Sequence, residues 1–436
     1  MQAEQQDPRP LRDTPATLTP GHAPPLAGWR LMVRLFVPLS LGYFLSYFFR
    51  TINAVIVPQL TDDLGLTAAS IGLLTSVYFL AFAGMQIPIG LLVDRFGPRK
   101  VQSALLLVAS AGAFGFAFGR TLPELIVARG LIGAGVAGSL MVSFTAFVLW
   151  LAPARVPATV GLLMAFGGMG AFVAGAPTAR FIAAGGAWRD LFFWIAIGAV
   201  GISVIVFLVL PEKARNHSES LRVLLSGLGR VFTDAVFWRV APLTVAVLGS
   251  GFAIQGLWAG PWLMDVAHLD SASVGTHLSV MAVALVFGAV ACGPILAAAQ
   301  RFGFSVLQAV GVLSLAFIAA VAGLVLQLTG LSMALLAAIG FLLNPISMSY
   351  VALTARFDSS MAARVTTAIN ALVLVGSFIL QWVIGAIIGL WAPLAPGVYP
   401  TSAYQAGLGF VLGCLVVSWV WFFASLARAN RPVSTS

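Results

Sequence analysis

Two long apolar runs, Ile71–Leu92 and Val101–Phe118, are separated only by a short segment ending in Asp94-Arg95-Phe96-Gly97-Pro98-Arg99-Lys100. Each run approaches the roughly 20 apolar residues that cross the hydrocarbon of a bilayer. A connection this short and this charged joins two membrane helices as a tight hairpin. Composition excludes water as the main solvent: 60% of the 436 residues are hydrophobic and 8% are charged, where soluble domains carry about 25% charged residues.

Apolar runs recur near 31–57, 71–92, 101–119, 123–148, 158–183 and 190–210, and again near 240–263, 274–299, 304–328, 331–353, 365–390 and 403–427. That pattern predicts twelve spans. The segment from Pro211 to Arg239 is the only long charged interior stretch and divides the runs six and six. The expected organisation is a polar, proline-rich and disordered tail over 1–29 with no cleavable signal, an N-terminal half over 30–210, a linker over 211–239, a C-terminal half over 240–428 and a tail over 429–436.

The net charge of +9 comes from residues in short loops. It reads as a topology signal and not as a nucleic-acid surface. Eighteen of the 23 Lys and Arg residues fall on one side of the predicted spans, while only Arg120, Arg180 and Arg189 mark the other. The positive-inside rule therefore predicts that both termini are cytoplasmic.

The halves repeat weakly. Ala69-Ser70-Ile71-Gly72 opens the second run and Ala272-Ser273-Val274-Gly275 opens the eighth. Downstream, Asp94-Arg95-Phe96-Gly97 is matched by Gln300-Arg301-Phe302-Gly303, so the second copy lacks the acid. Small residues four apart, Gly167, Ala171 and Gly175 in the fifth run and Ala284, Gly288 and Cys292 in the eighth, favour close helix approach in lipid.

The segment from Gly90 to Lys100 resembles the loop between the second and third helices of the major facilitator superfamily of transporters. The resemblance extends over residues 30 to 428. It implies an all-α integral membrane fold of twelve transmembrane helices in two pseudo-symmetric six-helix halves, with a site at their interface near mid-membrane. By the same resemblance Gly90, Asp94, Arg95, Gly97, Arg99 and Lys100 form a gating motif, with Asp94 and Arg95 latching helices at the cytoplasmic gate.

Ionisable groups within the hydrocarbon are expensive and are functional candidates by default. Two stand out, Arg50 in the first run and Arg129 in the fourth. At 1.5 Å per residue, each lies roughly 9 to 10 Å outside the middle of its run. No acid sits near the centre of any span, which favours an anionic ligand as counter-charge. Two readings stand for each residue. Arg50 is an anion anchor or a side chain reaching outer headgroups; Arg129 is a second anchor or a tie to backbone carbonyls of a neighbouring helix. Tyr43, Tyr47 and Tyr78 in the first half, with Gln255, Trp258, Asn344, Ser347, Tyr350, Asn370 and Gln381 in the second, are candidates to complete the cavity.

Gly42-Tyr43-Phe44-Leu45-Ser46-Tyr47-Phe48-Phe49-Arg50, followed by Pro58, resembles the first helix of the organophosphate:phosphate antiporters, whose arginine at the position of Arg50 binds phosphate. Arg129-Gly130-Leu131-Ile132-Gly133-Ala134-Gly135 resembles the fourth-helix motif of the organic-anion symporters. The seventh run lacks the antiporters' second basic residue and the fifth lacks their histidine, which favours a monovalent carboxylate or another organic anion. Phe49 stands where the symporters carry an acid, so a proton and a counter-anion both remain as coupling ions.

These features predict a secondary active transporter of a small, carboxylate-like organic anion in the bacterial inner membrane, a monomer working by alternating access. One alternative is a drug or metabolite exporter of the same superfamily: Gly161 and Gly170 fit the exporters' fifth-helix spacing, but Ala174-Gly175 replaces their Gly-Pro, with Pro177 displaced. Another is a membrane sensor that kept the fold and lost transport. No enzyme, metal or cofactor is expected: the histidines His22, His217, His268 and His277 are scattered, and Cys292 and Cys414 lie inside apolar runs.

Overall fold

The computed structural model describes residues 28–212, 221–358 and 361–429. The expectations for 1–27, 213–220 and 430–436 fall outside them. Among the described residues, ten helices are long and apolar enough to cross a membrane. One of them, Ala68–Phe118, has 51 residues. A straight helix of that length would run roughly 77 Å, more than twice the hydrocarbon thickness. It is two spans, because Gly97 leaves the helical region at φ 80°, ψ 161° and reverses the chain. A further span is the bent pair Val33–Thr51 and Asn53–Leu64, which meet at 51°. The total is twelve.

In chain order the spans are α1 (33–64), α2 (68–96), α3 (98–118), α4 (Leu122–Trp150), α5 (Pro153–Ala183), α6 (Trp188–Val209), α7 (Ala235–Asp265), α8 (Ser271–Arg301), α9 (Val306–Val325), α10 (Thr329–Thr354), α11 (Ala362–Ile388) and α12 (Thr401–Ser425). A separate helix, Leu221–Thr233, lies in the linker. Packing repeats between the halves: α1 lies on α5 as α7 lies on α11, and α8 on α10 and α9 on α12 match α2 on α4 and α3 on α6. The two loop glycines of the sequence repeat both take positive φ, 80° at Gly97 and 79° at Gly303. Positive φ is cheap only for glycine.

The halves meet along α2–α11 and α5–α8. The glycine ending each Ala-Ser-Ile/Val-Gly repeat marks one crossing. A β-carbon on Gly72 would lie 3.3 Å from the Gly385 Cα. One on Gly275 would overlap the Ala179 side chain and sit 3.0 Å from Ala176 Cα. A third close approach sets Gly260 of α7 directly on the Ala54 carbonyl of α1. All three lie toward the end of the bundle opposite the Gly97 turn and the linker, called here the far end. The sequence reading of small residues in α8 is also accounted for, since Gly288 abuts the Phe341 carbonyl of α10.

The far end is tied by polar bonds as well. The Tyr399 hydroxyl, from the α11–α12 loop, accepts the Ala68 N–H at the start of α2 at 3.0 Å. The Tyr399 N–H and the Tyr404 hydroxyl both donate to Asp265 Oδ2, at 3.0 and 2.6 Å. A methyl group at a crossing should therefore matter far more than one on an open face. Gly385→Ala would place its β-carbon 2.5 Å from the Ala68 carbonyl, whereas Gly161 has nothing within 4 Å. Gly385→Ala is expected to cost about 1–3 kcal/mol through overpacking, and Gly161→Ala to be neutral or to stabilise by up to about 1 kcal/mol through helix propensity. Thermal unfolding of the two purified variants against the parent checks this.

Candidate functional site

The first span is longer than its apolar run suggests, and this moves Arg50. The helix does not stop near Val57 but bends at Ile52 and continues through Pro58 to Leu64. Pro58, six residues beyond the bend, removes only the N–H that would bond the Ala54 carbonyl, and the helix continues past it. Arg50 then lies only about 2 Å from the middle of α1, counted at 1.5 Å per residue. Measured on its apolar run alone, Arg50 falls well toward the outer end.

The Arg50 side chain is 7% exposed. Its guanidinium carbon sits 4.6 Å from the ring centre of Tyr47, 5.0 Å from Phe252 and 5.6 Å from Phe82. Cation–π contacts of this kind partly offset the loss of water. The phenols of Tyr78, Tyr47 and Tyr43 also lie within electrostatic reach. No carboxylate pairs with it among the described residues, and its Nε has no hydrogen-bond partner. Tyr43 and Tyr47 meet edge to face at 5.2 Å and rest on Gly167 of α5, where no side chain intrudes.

Arg129 stands behind this cage. It is fully buried, its Nη2 donates to the Phe49 carbonyl at 2.7 Å, and its guanidinium covers the Tyr78 ring at 5.1 Å. Phe49 lies in the last turn before the bend, where helical carbonyls lose their partners. Arg129 therefore caps the broken end of α1 one residue before Arg50. Tyr78 completes the brace by donating its hydroxyl to the Ser46 carbonyl at 3.0 Å.

On the opposite half, α7 widens into a π-helical turn, Ile254–Trp258, against the Arg50 carbonyl. Such turns are rare and recur at functional sites. The side chain of Gln255 is 3% exposed and that of Gln381 fully buried, and neither amide has a partner for its oxygen or nitrogen. Gln255 lines a narrow cavity between the halves with Thr51, Ala171, Ala174, Gly175, Leu278 and Ala282. Trp258 instead ties its indole N–H to the Gln381 carbonyl at 2.9 Å. Asn344 donates to Leu285 O of α8 at 2.7 Å, and Ser347 donates to Asn344 O at 2.6 Å. Asn370 crosses the halves, donating to Gln86 Oε1 at 3.1 Å. Tyr350 lies within electrostatic reach of Arg50.

At the linker end, Arg99 and Lys100 grip one carboxylate, Glu212, at 2.7 and 2.8 Å. Arg99 also covers the Phe207 ring at 5.1 Å, and Arg95 covers Phe96 at 5.2 Å. Asp94 and Gly90 are half-buried in the last turns of α2. Glu212 and Gln86 were absent from the sequence inventory. Glu212 reads as an ordinary linker acid, and only its place directly after Pro211 at the end of α6 hints at a fixed position.

The Major Facilitator Superfamily model matches residues 39–381. The chain belongs to that superfamily. Among curated relatives it is 27% identical over 191 residues, 44% of each chain, to the probable sulfoacetate transporter SauU of Cupriavidus necator. It is 28% identical over 205 residues, 46% of each chain, to the uncharacterized transporter YybO of Bacillus subtilis. The matched part spans about half the length of these relatives. In fold it is similar to a bacterial homolog of the human lysosomal transporter Spinster, inward-facing and unoccupied, with TM-score 0.72 and 18% identity over 94% of this chain and 100% of the other. It is also similar to the nucleoside transporter NupG, with TM-score 0.70 and 14% identity over 91% and 99%. The family and these relatives are transporters and not enzymes, and the protein is a multi-pass membrane protein.

The Glu212 clamp carries a pH expectation. Hydrogen bonding to Lys100, with the charges of Arg99 and Lys100, holds this carboxyl below its ordinary value of 4.5. A depressed carboxylate stabilises the fold above its unfolded value, and the effect is lost as pH falls through the folded one. The difference in melting temperature between the parent and Glu212→Gln should persist down to about pH 4.5 and shrink below it.

Proposed function

We propose that this chain is a secondary active transporter of a small organic anion, working by alternating access in the bacterial inner membrane. The supporting observation is Arg50: a buried cation at the middle of a span, held in an aromatic cage with no protein carboxylate to neutralise it. A charge so placed is costly unless something compensates it, and an anionic substrate supplies that partner. The unpaired amides of Gln255 and Gln381 on the facing half add donors and acceptors for the rest of the molecule. Arg129 acts as a positioning residue, holding the end of α1 through Phe49.

The narrow cavity fits a state in which the halves are drawn together. Exchange for a second anion is the coupling that the residues support best, because no acid lies at this depth to carry a proton. The excess of Lys and Arg on the linker side supports cytoplasmic termini and makes the far end periplasmic. The relative described as a probable sulfoacetate transporter makes sulfoacetate a sensible first probe.

Counterflow in proteoliposomes, with sulfoacetate and a panel of carboxylates, tests the reading. Arg50→Ala is expected to weaken binding at least about tenfold, the scale of one lost charge-assisted hydrogen bond, and to abolish transport while the protein still inserts and folds. Unchanged transport would falsify the anchor assignment. Arg129→Leu should lower thermal stability as well as transport, by about 1–3 kcal/mol for an orphaned buried carbonyl. A variant that loses transport alone would instead assign Arg129 to the substrate.

A further inference from the structure

The fifth span is broken where the halves touch, and the break is closed by a residue of the other half. α5 consists of two helical pieces, Val156–Ala174 and Ala176–Ala183, separated at Gly175 with φ −83° and ψ −108°. In an unbroken helix the Ala176 N–H would bond the Phe172 carbonyl. Here the Ala176 N–H donates to Ser279 Oγ at 2.8 Å, and the Ser279 hydroxyl donates onward to Phe172 O at 2.9 Å. Ser279 belongs to α8 and is buried. Its hydroxyl occupies the place of one helical rung.

The neighbouring rung is lost for a different reason. Pro177 has no N–H, and the carbonyl it would have bonded, Val173 O, takes the Thr178 hydroxyl at 2.9 Å. Regular bonding resumes with Ala179 N–H to Gly175 O at 2.9 Å. The Pro177 defect is fixed by the covalent chain. Phe172 O also accepts the Gly175 N–H at 3.1 Å, a tighter turn within α5 itself, while the Ala176 N–H is held by Ser279 of the opposite half. Gly175 is required there, since a β-carbon would lie 2.5 Å from Ser279 Oγ and 2.9 Å from Ser279 N.

We infer that the gap in α5 is a state-dependent switch: Ser279 fills it while the far end is closed, and it closes into a helical rung when the far end opens. Separation of the halves withdraws Ser279 and leaves the Ala176 N–H without a partner, four residues from the Phe172 carbonyl. An unpaired N–H is costly inside hydrocarbon, so it takes that carbonyl in place of the Ser279 hydroxyl. The freed Ser279 hydroxyl turns to its own helix, where the carbonyl four residues back is Gly275 O. Two hydrogen bonds are exchanged for two. The two gate states stay close in free energy because nothing is left unpaired in either.

The inference rests on alternating access but not on the identity of the cargo, so it is tested without substrate. Spin labels go on Ala184→Cys and Ala272→Cys, exposed positions at the far ends of α5 and α8, in full-length protein carrying Cys292→Ser and Cys414→Ser. Ser279→Ala removes the bridge from the closed state and costs α5 nothing in the open one. It is expected to raise the open-to-closed ratio roughly tenfold, the scale of leaving the Ala176 N–H without a partner in the closed state. Ser314→Ala, whose hydroxyl bonds only its own helix at Val310 O, should leave the distance distribution unchanged. In Ser279→Ala the Ala176 amide should stay protected from hydrogen exchange, because the rung forms. A parent-like distance distribution in Ser279→Ala, or rapid exchange at Ala176, overturns the switch. A shifted distribution in a protein that moves none of the tested anions upholds the switch and counts against the proposed cargo.

Discussion

Inside hydrocarbon every backbone N–H and C=O must find a partner, and this constraint organises the molecule. Regular helix meets it almost everywhere. Where helix fails, side chains complete the bonding, and those places lie between the middle of the bundle and its far end. At the bend in α1, Arg129 takes the Phe49 carbonyl and Thr51 takes that of Tyr47. At the break in α5, Ser279 and Thr178 divide the work. The polar residues near the centre of the bundle thus serve the backbone first. Arg50, Gln255 and Gln381 stand apart: Arg50 rests on aromatic rings with no carboxylate partner among the described residues, and both amides lack a hydrogen-bond partner.

The two ends of the bundle are held by different physics. At the far end, glycine crossings bring backbones into contact and hydrogen bonds tie Tyr399 to Ala68 and Asp265, with no ion pair across the halves among the described residues. At the linker end, the ion pairs of Arg99 and Lys100 with Glu212 stay on the side of the first half, the matching turn of the second half carries Gln300 where an acid would be, and the halves are bridged by the neutral bond from Asn370 to Gln86. Close packing is short-ranged, whereas a clamp of part-exposed charges is soft and screened by salt.

Much of this was legible in the sequence because length and hydropathy leave few choices for an apolar run. The spans, their division six and six, and the repeated turn at Gly97 and Gly303 follow from pattern alone. The misplacement of Arg50 has a physical cause: Pro58, Asp62 and Asp63 look like the end of a span, yet proline is tolerated within a membrane helix that bends. The brace role of Arg129 was one of two readings, and nothing in the sequence shows which carbonyl it faces. Ser279 and Glu212 could not be found at all. A single serine in an apolar run and an acid in a linker are ordinary residues until the fold brings their partners to them.

The crossings Gly72–Gly385 and Gly175–Gly275 have a consequence beyond closure. They lie beside the facing glutamines: a β-carbon on Gly72 would sit 3.2 Å from the Gln381 carbonyl, Gly175 lines the cavity with Gln255, and neither crossing has room for a methyl group. A side chain added at either crossing would therefore press on the same space that the unpaired amides line. The contact that joins the halves and the polar lining between them share one set of atoms, so neither can be altered without the other feeling it.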